Sequence, residues 1–345
     1  MFDVIEKPLV SIGVPTCERA SLLERALKSL IAQDYPHLEI IVSDNASNDK
    51  TPEVCERILS QYPFIRYSRI STRTPAVDNF KRVLLLSTGK YFMWAADDDL
   101  WEPNFVSTLV SYLESDKDTV LIAAEAQYMI RDGAKLPFFP EGRAFYNKLP
   151  NSKLRRLLVF TSHSYGNLIY GLYRREALFT NNGGTVLDVC KFINEIPIFL
   201  QIAIKGNVQV HSQVLFYKSA PLSTYLQAAR EYGFKPVLNQ NQLAAATMPT
   251  TRFQATTSHA KGRLSRLRSF LGSVFRWYDY FINVGSYHIR ALTDIRQAIC
   301  HVDIGFASKL VLFGTFTKEL TRHFLKLSVV WQIKDIFSGK TAIQL

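Results

Sequence analysis

Three consecutive carboxylates, Asp97-Asp98-Asp99, follow the apolar run YFMWAA. Adjacent carboxylates repel and each resists burial, so a strand end that carries three of them calls for a positive partner. A divalent cation with oxygen preference, Mn2+ or Mg2+, answers that need, and a nucleoside diphosphate commonly completes its coordination. One of the three could instead cap the helix that begins near Pro103. Two further polar clusters end apolar runs in the same manner: Pro15 to Arg19 after LVSIGV, and Asp44-Asn45 after IIVS. Taken alone, Asp44 and Asn45 are ordinary turn residues. They acquire chemical interest only if the fold brings them beside the aspartates.

The surrounding pattern provides for that. LVSIGVPT reads as a short buried strand stopped by Pro15. Ser21 stands where an N-cap belongs, with Glu24 three residues on as in a capping box. Leu22, Leu23, Ala26, Leu27 and Leu30 then recur at helical spacing up to the Asp34-Tyr35-Pro36 turn. LEIIVSDNAS is a second strand, Thr51 to Gln61 a second helix, FIRYSRI a third strand, Val77 to Leu86 a third helix closed by Gly89, and KYFMWAADDD a fourth strand. Strand–helix units of this length imply an α/β fold whose mostly parallel sheet is covered by helices on both faces. Ligands of such sheets bind beyond the carboxyl ends of the strands, where all three polar clusters fall.

From Val120 to Tyr217 the pattern is less regular. LIAAEAQYMI and NVQVHSQVLFY read as strands, and Ile196 to Lys205 as a short helix ended by Gly206. An uncharged stretch, Pro236 to Thr251, marks the boundary between a catalytic unit over 1–235 and a helical C-terminal extension over 252–345. The chain has 345 residues and a net charge of +11, unevenly spread. From Arg252 onward there are 14 basic and 5 acidic residues; upstream the numbers are 27 and 25. The extension is therefore the basic part, and Leu264, Leu267, Leu271, Val274, Tyr278 and Phe281 line one side of it at helical spacing. Such a region suits an anionic membrane surface or a second copy of the chain.

Composition removes other classes. Cys17, Cys55, Cys190 and Cys300 are far apart, which argues against a disulfide scaffold or a zinc ribbon and fits a reducing compartment. MFDVIEKPLVSIGVPT lacks the basic-then-apolar order of a signal peptide, and no uncharged apolar run reaches the roughly 18 residues of a membrane span. The expectation is a cytoplasmic protein, peripheral at most at the inner face of the cell membrane. GxSxG and HExxH are both missing. Nucleic acid is not an expected partner, because the basic residues avoid the aromatic-bearing strands that a stacking surface would use.

The segment VSIGVPTCERASLLERALKSLIAQDYPHLEIIVSDNASND resembles the amino end of family 2 inverting glycosyltransferases with a GT-A fold. DNFKRVLLLSTGKYFMWAADDDLWEPNF is similar to the segment that carries their DxD-type metal motif. The resemblance spans roughly residues 8 to 110 and thins toward 220. It implies transfer of a sugar from a nucleotide-diphosphate donor, usually a UDP-sugar, to a glycan or lipid-linked acceptor in polysaccharide biosynthesis. Position by position, it assigns Pro15 and Thr16 to the loop that cradles the base and ribose. Glu18 and Arg19 continue that loop, and Cys17 replaces the usual Tyr. Asp44 falls on the Asp that hydrogen-bonds uracil. Arg73 is placed near the base or diphosphate, and Asn79 on a recurrent Asn before the DxD strand. Asp98 matches the metal-ligating Asp, with Asp99 beside it; Ala96 replaces the first Asp of the commoner form, which passes the ribose contact to Asp97. NEIPIFLQIAIKG resembles the segment that supplies the general base, and counting back from Gly206 selects Glu195, with Asp188 in reserve. His163 and His211 are candidate acceptor contacts.

A nucleotidyltransferase would share the acidic α/β sheet but needs a Gly-rich loop after the first strand, and VPTCERAS has no glycine. A catalytically inactive scaffold of the same fold remains the other alternative. For the basic extension, co-sedimentation with anionic liposomes that weakens with salt and disappears on truncation before Arg252 is the outcome expected of a membrane anchor. A monomer replacing a dimer on the same truncation, without liposome binding, identifies an assembly element instead.

Overall fold

The computed structural model describes residues 7–130, 152–162, 167–190 and 195–220, with Leu222 and Leu226. The first hundred residues alternate strictly: β1 (Val10–Thr16), α1 (Ala20–Ile31), β2 (Leu38–Asp44), α2 (Thr51–Leu59), β3 (Ile65–Arg69), α3 (Ala76–Leu86) and β4 (Tyr91–Trp94). A two-residue strand β5 (Leu100–Trp101), α4 (Phe105–Ser115), β6 (Thr119–Ile130) and α5 (Lys153–Ser162) follow. Then come β7 (Leu172–Arg174), α6 (Glu195–Lys205) and β8 (Asn207–Ala220), with single 3-10 turns at Leu168–Tyr170 and Arg175–Leu178.

The eight strands form one sheet in the order β3-β2-β1-β4-β7-β6-β8-β5. β1 to β4 are parallel, as their helical crossovers require. β7 runs antiparallel to both β4 and β6, and β5 antiparallel to β8. These two short strands carry too few residues to show a period, and the sequence reading passes over them. Because β1 connects toward β2 while β3 returns to β4 on its other side, the chain reverses direction between β1 and β4. A crevice opens at the carboxyl ends of such a pair.

Alternation along β4 shows how the sheet is filled. Phe92 and Trp94 join Val83, Leu84, Tyr173 and Phe199 in the core on one face. Tyr91 and Met93 join Leu23, Leu27, Phe105 and Leu109 on the other. Every residue of β1 is buried, as suits a strand with neighbours on both edges and helices on both faces.

The start of α1 departs from the capping box expected at Ser21. The helix begins two residues earlier, with Arg19 as its N-cap and no side-chain cap. The amide of Ala20 instead donates to Asp49 in the β2–α2 loop, 3.1 Å away. Glu24, freed from capping, pairs with Arg57 of α2 and Lys28. At the other end of the chain segment, Gly206 joins α6 to β8 where an added Cβ would lie 2.5 Å from both Asp118 O and Val120 Cγ1. The proposed boundary at 236–251 and the helical extension over 252–345 lie outside the described residues.

Gly13 lies in the middle of β1 because α3 presses on it: a Cβ there would come 2.8 Å from Val83 Cγ2 and 2.9 Å from Phe92 Cζ. Gly13→Ala is therefore expected to lower the unfolding free energy by about 1–3 kcal/mol. The measurement is a shifted urea midpoint at unchanged slope.

Candidate active site

The loops that follow β1, β2, β3 and β4 meet over the carboxyl edge of the sheet, and polar side chains lace them together. Asn45 is the central knot. Its amide N–H donates to Thr16 O (2.9 Å) in β1. Its side chain accepts from Thr74 N (2.9 Å) and donates to Thr74 O (2.8 Å) in the third loop. Ser47 Oγ accepts from Glu18 N (2.8 Å), and Arg69 donates to Ser47 O (2.7 Å). Two residues other than glycine hold left-handed backbone here, Glu18 (φ 55°) and Ala46 (φ 56°). Such backbone costs of order 1–3 kcal/mol and persists only where the surroundings over-determine it.

Asp44 and Asn79 lie beneath these loops as framework. Asp44 is wholly buried; it accepts from Ser47 N (2.9 Å) and Tyr67 Oη (2.6 Å) and pairs with Arg69 Nε at 3.4 Å. Burial, reinforced by Asp44, pushes the Tyr67 phenol well above its usual range, so it stays a donor. Asn79 donates to Ser43 O (2.9 Å) and Thr16 O (3.3 Å) and accepts from Ser43 Oγ (2.5 Å), which binds the ends of β1 and β2 to α3. Pro15 is buried in β1. The structure therefore gives Asp44 and Asn79 full sets of protein partners below the surface on which a nucleotide would rest.

The aspartate triplet divides. Asp97 crosses the β1–β4 crevice and accepts from Thr16 Oγ1 at 2.8 Å. It shares Arg19 with Asp98: Arg19 Nη1 lies 2.8 Å from Asp98 Oδ2 and 3.4 Å from Asp97 Oδ1. Arg25 donates to Asp98 O (3.1 Å) and fixes the turn. Asp99 serves another element, accepting from Ser219 N of β8 at 2.7 Å. Burial pushes Asp97 up to about 6, against the opposing pull of Thr16 and Arg19. Burial likewise pushes Asp99 up to about 7, despite the Ser219 amide. The expected ligand pair was Asp98 with Asp99; the carboxylates that the structure brings together are Asp97 and Asp98.

A hard cation fits this donor set in a specific way. Among the described residues no three His, Cys, Asp or Glu side chains converge. Two adjacent carboxylates, one of them buried and short of countercharge, are what a magnesium-like ion uses when substrate phosphates supply the rest of its sphere.

The remaining candidates are spread over the same edge and beyond it. Arg73 reaches from the third loop to Glu18 in the first, 2.6 Å apart and both about half exposed. Glu195 is the first residue of α6. That helix ends one residue before β8 begins, and β8 is parallel to β6, so the start of α6 lies toward the edge that carries the aspartates. Asp188 does not join them. It closes a turn by accepting from Thr185 N (2.6 Å) and is ion-paired to Lys81 on α3. Burial would raise it, but Lys81 and Thr185 together hold it below the usual carboxylate range, the wrong direction for a proton acceptor poised near neutrality. His211 lies on β8, its Nδ1 accepting from Gln213 N at 3.3 Å, and His163 falls outside the described residues. Ser219 emerges as a site residue only from the structure; nothing in the sequence links it to an aspartate 120 positions away.

A mixed, mostly parallel sheet flanked by helices is the architecture of GT-A glycosyltransferases, and the solved structure named below matches it in fold. Residues 11–179, just under half of the chain, match the model of Glycosyl transferase family 2. It is 29% identical over 156 residues to WcaA of Escherichia coli (strain K12), a glycosyl transferase provisionally named for colanic acid biosynthesis, covering 41% of this chain and 53% of WcaA. It is also 29% identical over 219 residues to an uncharacterized glycosyltransferase of Rickettsia felis, covering 60% of this chain and 35% of that protein. The chain thus spans about half or less of these relatives' own length. Among solved structures, residues 1–349 of S. aureus TarS in complex with UDP-GlcNAc superpose with a TM-score of 0.57 at 15% identity, covering 94% of this chain and 77% of that one. At that identity the likeness is one of fold.

The raised carboxyls have a consequence for stability. A carboxyl whose folded pKa exceeds its unfolded value contributes fully below about pH 4, and the contribution is lost as pH rises toward about 7. Asp99→Asn keeps the acceptor for Ser219 and removes the charge. It is expected to raise the melting temperature at pH 8 in chelator and to change it little at pH 4.

Proposed function

We propose that the chain transfers a sugar from a nucleoside-diphosphate donor, a UDP-sugar by preference, to a glycan or lipid-linked acceptor with inversion at the anomeric carbon. The observation that carries this reading is the Thr16–Asp97 bridge across the β1–β4 crevice, with Asp98 and Arg19 beside it at the mouth. The family 2 match and the UDP-GlcNAc complex of TarS support it. The name of WcaA supports a role in surface polysaccharide.

In this reading the nucleoside lies along the Pro15–Arg19 loop, over the framework that Asp44 and Asn79 hold rigid. Arg73 and Glu18 close the outer side of the pocket. Asp97, fixed by Thr16, faces the ribose and diphosphate, and Asp98 with Asp97 would hold the divalent cation. When bound, that cation supplies positive charge to the leaving diphosphate. Glu195, at the start of α6, accepts the proton of the acceptor hydroxyl as its oxygen attacks the anomeric carbon from the face opposite the diphosphate. Inversion follows from that single displacement. Asp188, committed to Lys81 and its own turn, has no part in the reaction. Among the described residues no helix is long and apolar enough to cross a membrane. In this reading the net charge of +9 from Arg252 onward draws that region to an anionic inner membrane face, where a lipid-linked acceptor would be met.

Two substitutions test the reading. Asp98→Ala should reduce turnover by on the order of 100-fold or more with the thermal midpoint nearly unchanged. A variant with half the activity at saturating donor removes Asp98 from the site. Glu195→Gln should abolish transfer while UDP still raises the melting temperature as it does for the native chain. Full activity in Glu195→Gln and none in Asp188→Asn would reverse the assignment of the base.

A further inference from the structure

We propose that Arg19 is an exchangeable counter-cation, which occupies the Asp97–Asp98 pair until a divalent cation displaces it and the donor diphosphate receives it. The inference rests on the reading of this site given above and adds to it an order of assembly.

The geometry has three parts. First, one guanidinium nitrogen serves both carboxylates, at 2.8 and 3.4 Å, and therefore lies where a cation shared by Asp97 and Asp98 would lie. Second, the two anionic side chains are shielded, 11% and 16% exposed, whereas the Arg19 side chain is 42% exposed and open to solvent on its outer side. The carboxylates are the fixed members, held by Thr16 Oγ1 and by Arg25 on the Asp98 carbonyl. Third, the backbone of Arg19 is pinned. It is the N-cap of α1, its carbonyl accepts from Leu23 N at 2.9 Å, and the next amide donates to Asp49. The side chain can therefore leave without moving the loop.

Charge decides what happens next. One guanidinium opposite two carboxylates leaves a net negative charge, which a divalent cation would balance. Exchange leaves Arg19 at the mouth with no carboxylate partner of its own, because its two ion pairs among the described residues are the ones it has just given up. A diphosphate bound to the incoming cation is the anion within reach, and a guanidinium forks onto phosphate oxygens readily. Cation and donor thus assist each other through Arg19. The cation alone must expel an ion pair; with the donor present, the expelled group finds a new one. By linkage the help is mutual.

The test is Mn2+ binding followed by electron paramagnetic resonance, with and without UDP, on the native chain, Arg19→Ala, Arg19→Lys and Asp98→Ala. Mn2+ alone should bind Arg19→Ala roughly three- to ten-fold more tightly than the native chain, the range of a partly exposed ion pair. The factor by which UDP tightens Mn2+ binding should shrink in Arg19→Ala and be partly restored in Arg19→Lys. Unchanged or weaker Mn2+ binding by Arg19→Ala overturns the exchange. If Asp98→Ala still abolishes binding in that case, the cation subsite itself stands. Absence of Mn2+ binding in every form overturns both.

Discussion

Thr16 and Asp97 are 81 positions apart, and the hydrogen bond between them is made over the carboxyl ends of the paired strands β1 and β4, where the chain reverses direction. A carboxylate buried at the end of β4 would by itself be unfavourable, and burial does push its pKa upward. The rest of the carboxyl edge is arranged around that group. Thr16 fixes its inner oxygen, Arg19 approaches the outer one, and the loops that carry both are tied to their neighbours by Asn45 and Ser47. The strained backbone at Glu18 and Ala46 belongs to the same arrangement, since each lies in a loop whose partners leave it no alternative. Preorganisation of this kind stabilises charge at a reaction centre without rearrangement during the reaction.

The elements before residue 110 were legible because each is an uninterrupted signal of one period. LVSIGV and LEIIVS are buried runs of strand length, and the leucines of α1 recur at helical spacing. The sequence also exposed the aspartate triplet, since three charges after YFMWAA contradict the pattern around them. It did not reveal how the triplet divides. Asp97 and Asp99 point to partners at Thr16 and Ser219, and a contact across 81 or 120 positions leaves no local trace. The capping box at Ser21 failed for a related reason: a carboxylate from the next loop, Asp49, reached the helix start first. Asp44 and Asn79 were legible as important and not as framework, because residue type alone does not say which way a polar group faces.

Asp99 also joins the two halves of the sheet. Strands β1 to β4 and the strand β8 do not adjoin in the sheet, yet Asp99 accepts from Ser219 near the end of β8, and the β5 pairing runs alongside. Glu102 N donates to Leu215 O in the same seam. The half that carries the β1–β4 loops and the half that leads from α6 are therefore set against each other by contacts immediately beside the aspartates. A displacement of one half would be felt first at the group that must stay still.

The close packing at Gly206 makes α6 a gauge. Its lower end is pressed onto β6, where no side chain fits between Gly206 and the backbone of Asp118, and its upper end is Glu195. Eleven residues span about 16 Å at the rise of an α-helix. The distance of the Glu195 backbone from the Gly206 contact is therefore a count of helical residues. Lengthening the helix by a single residue would lift Glu195 and swing it about 100° around the axis, a displacement that substitutions along the helix would not produce.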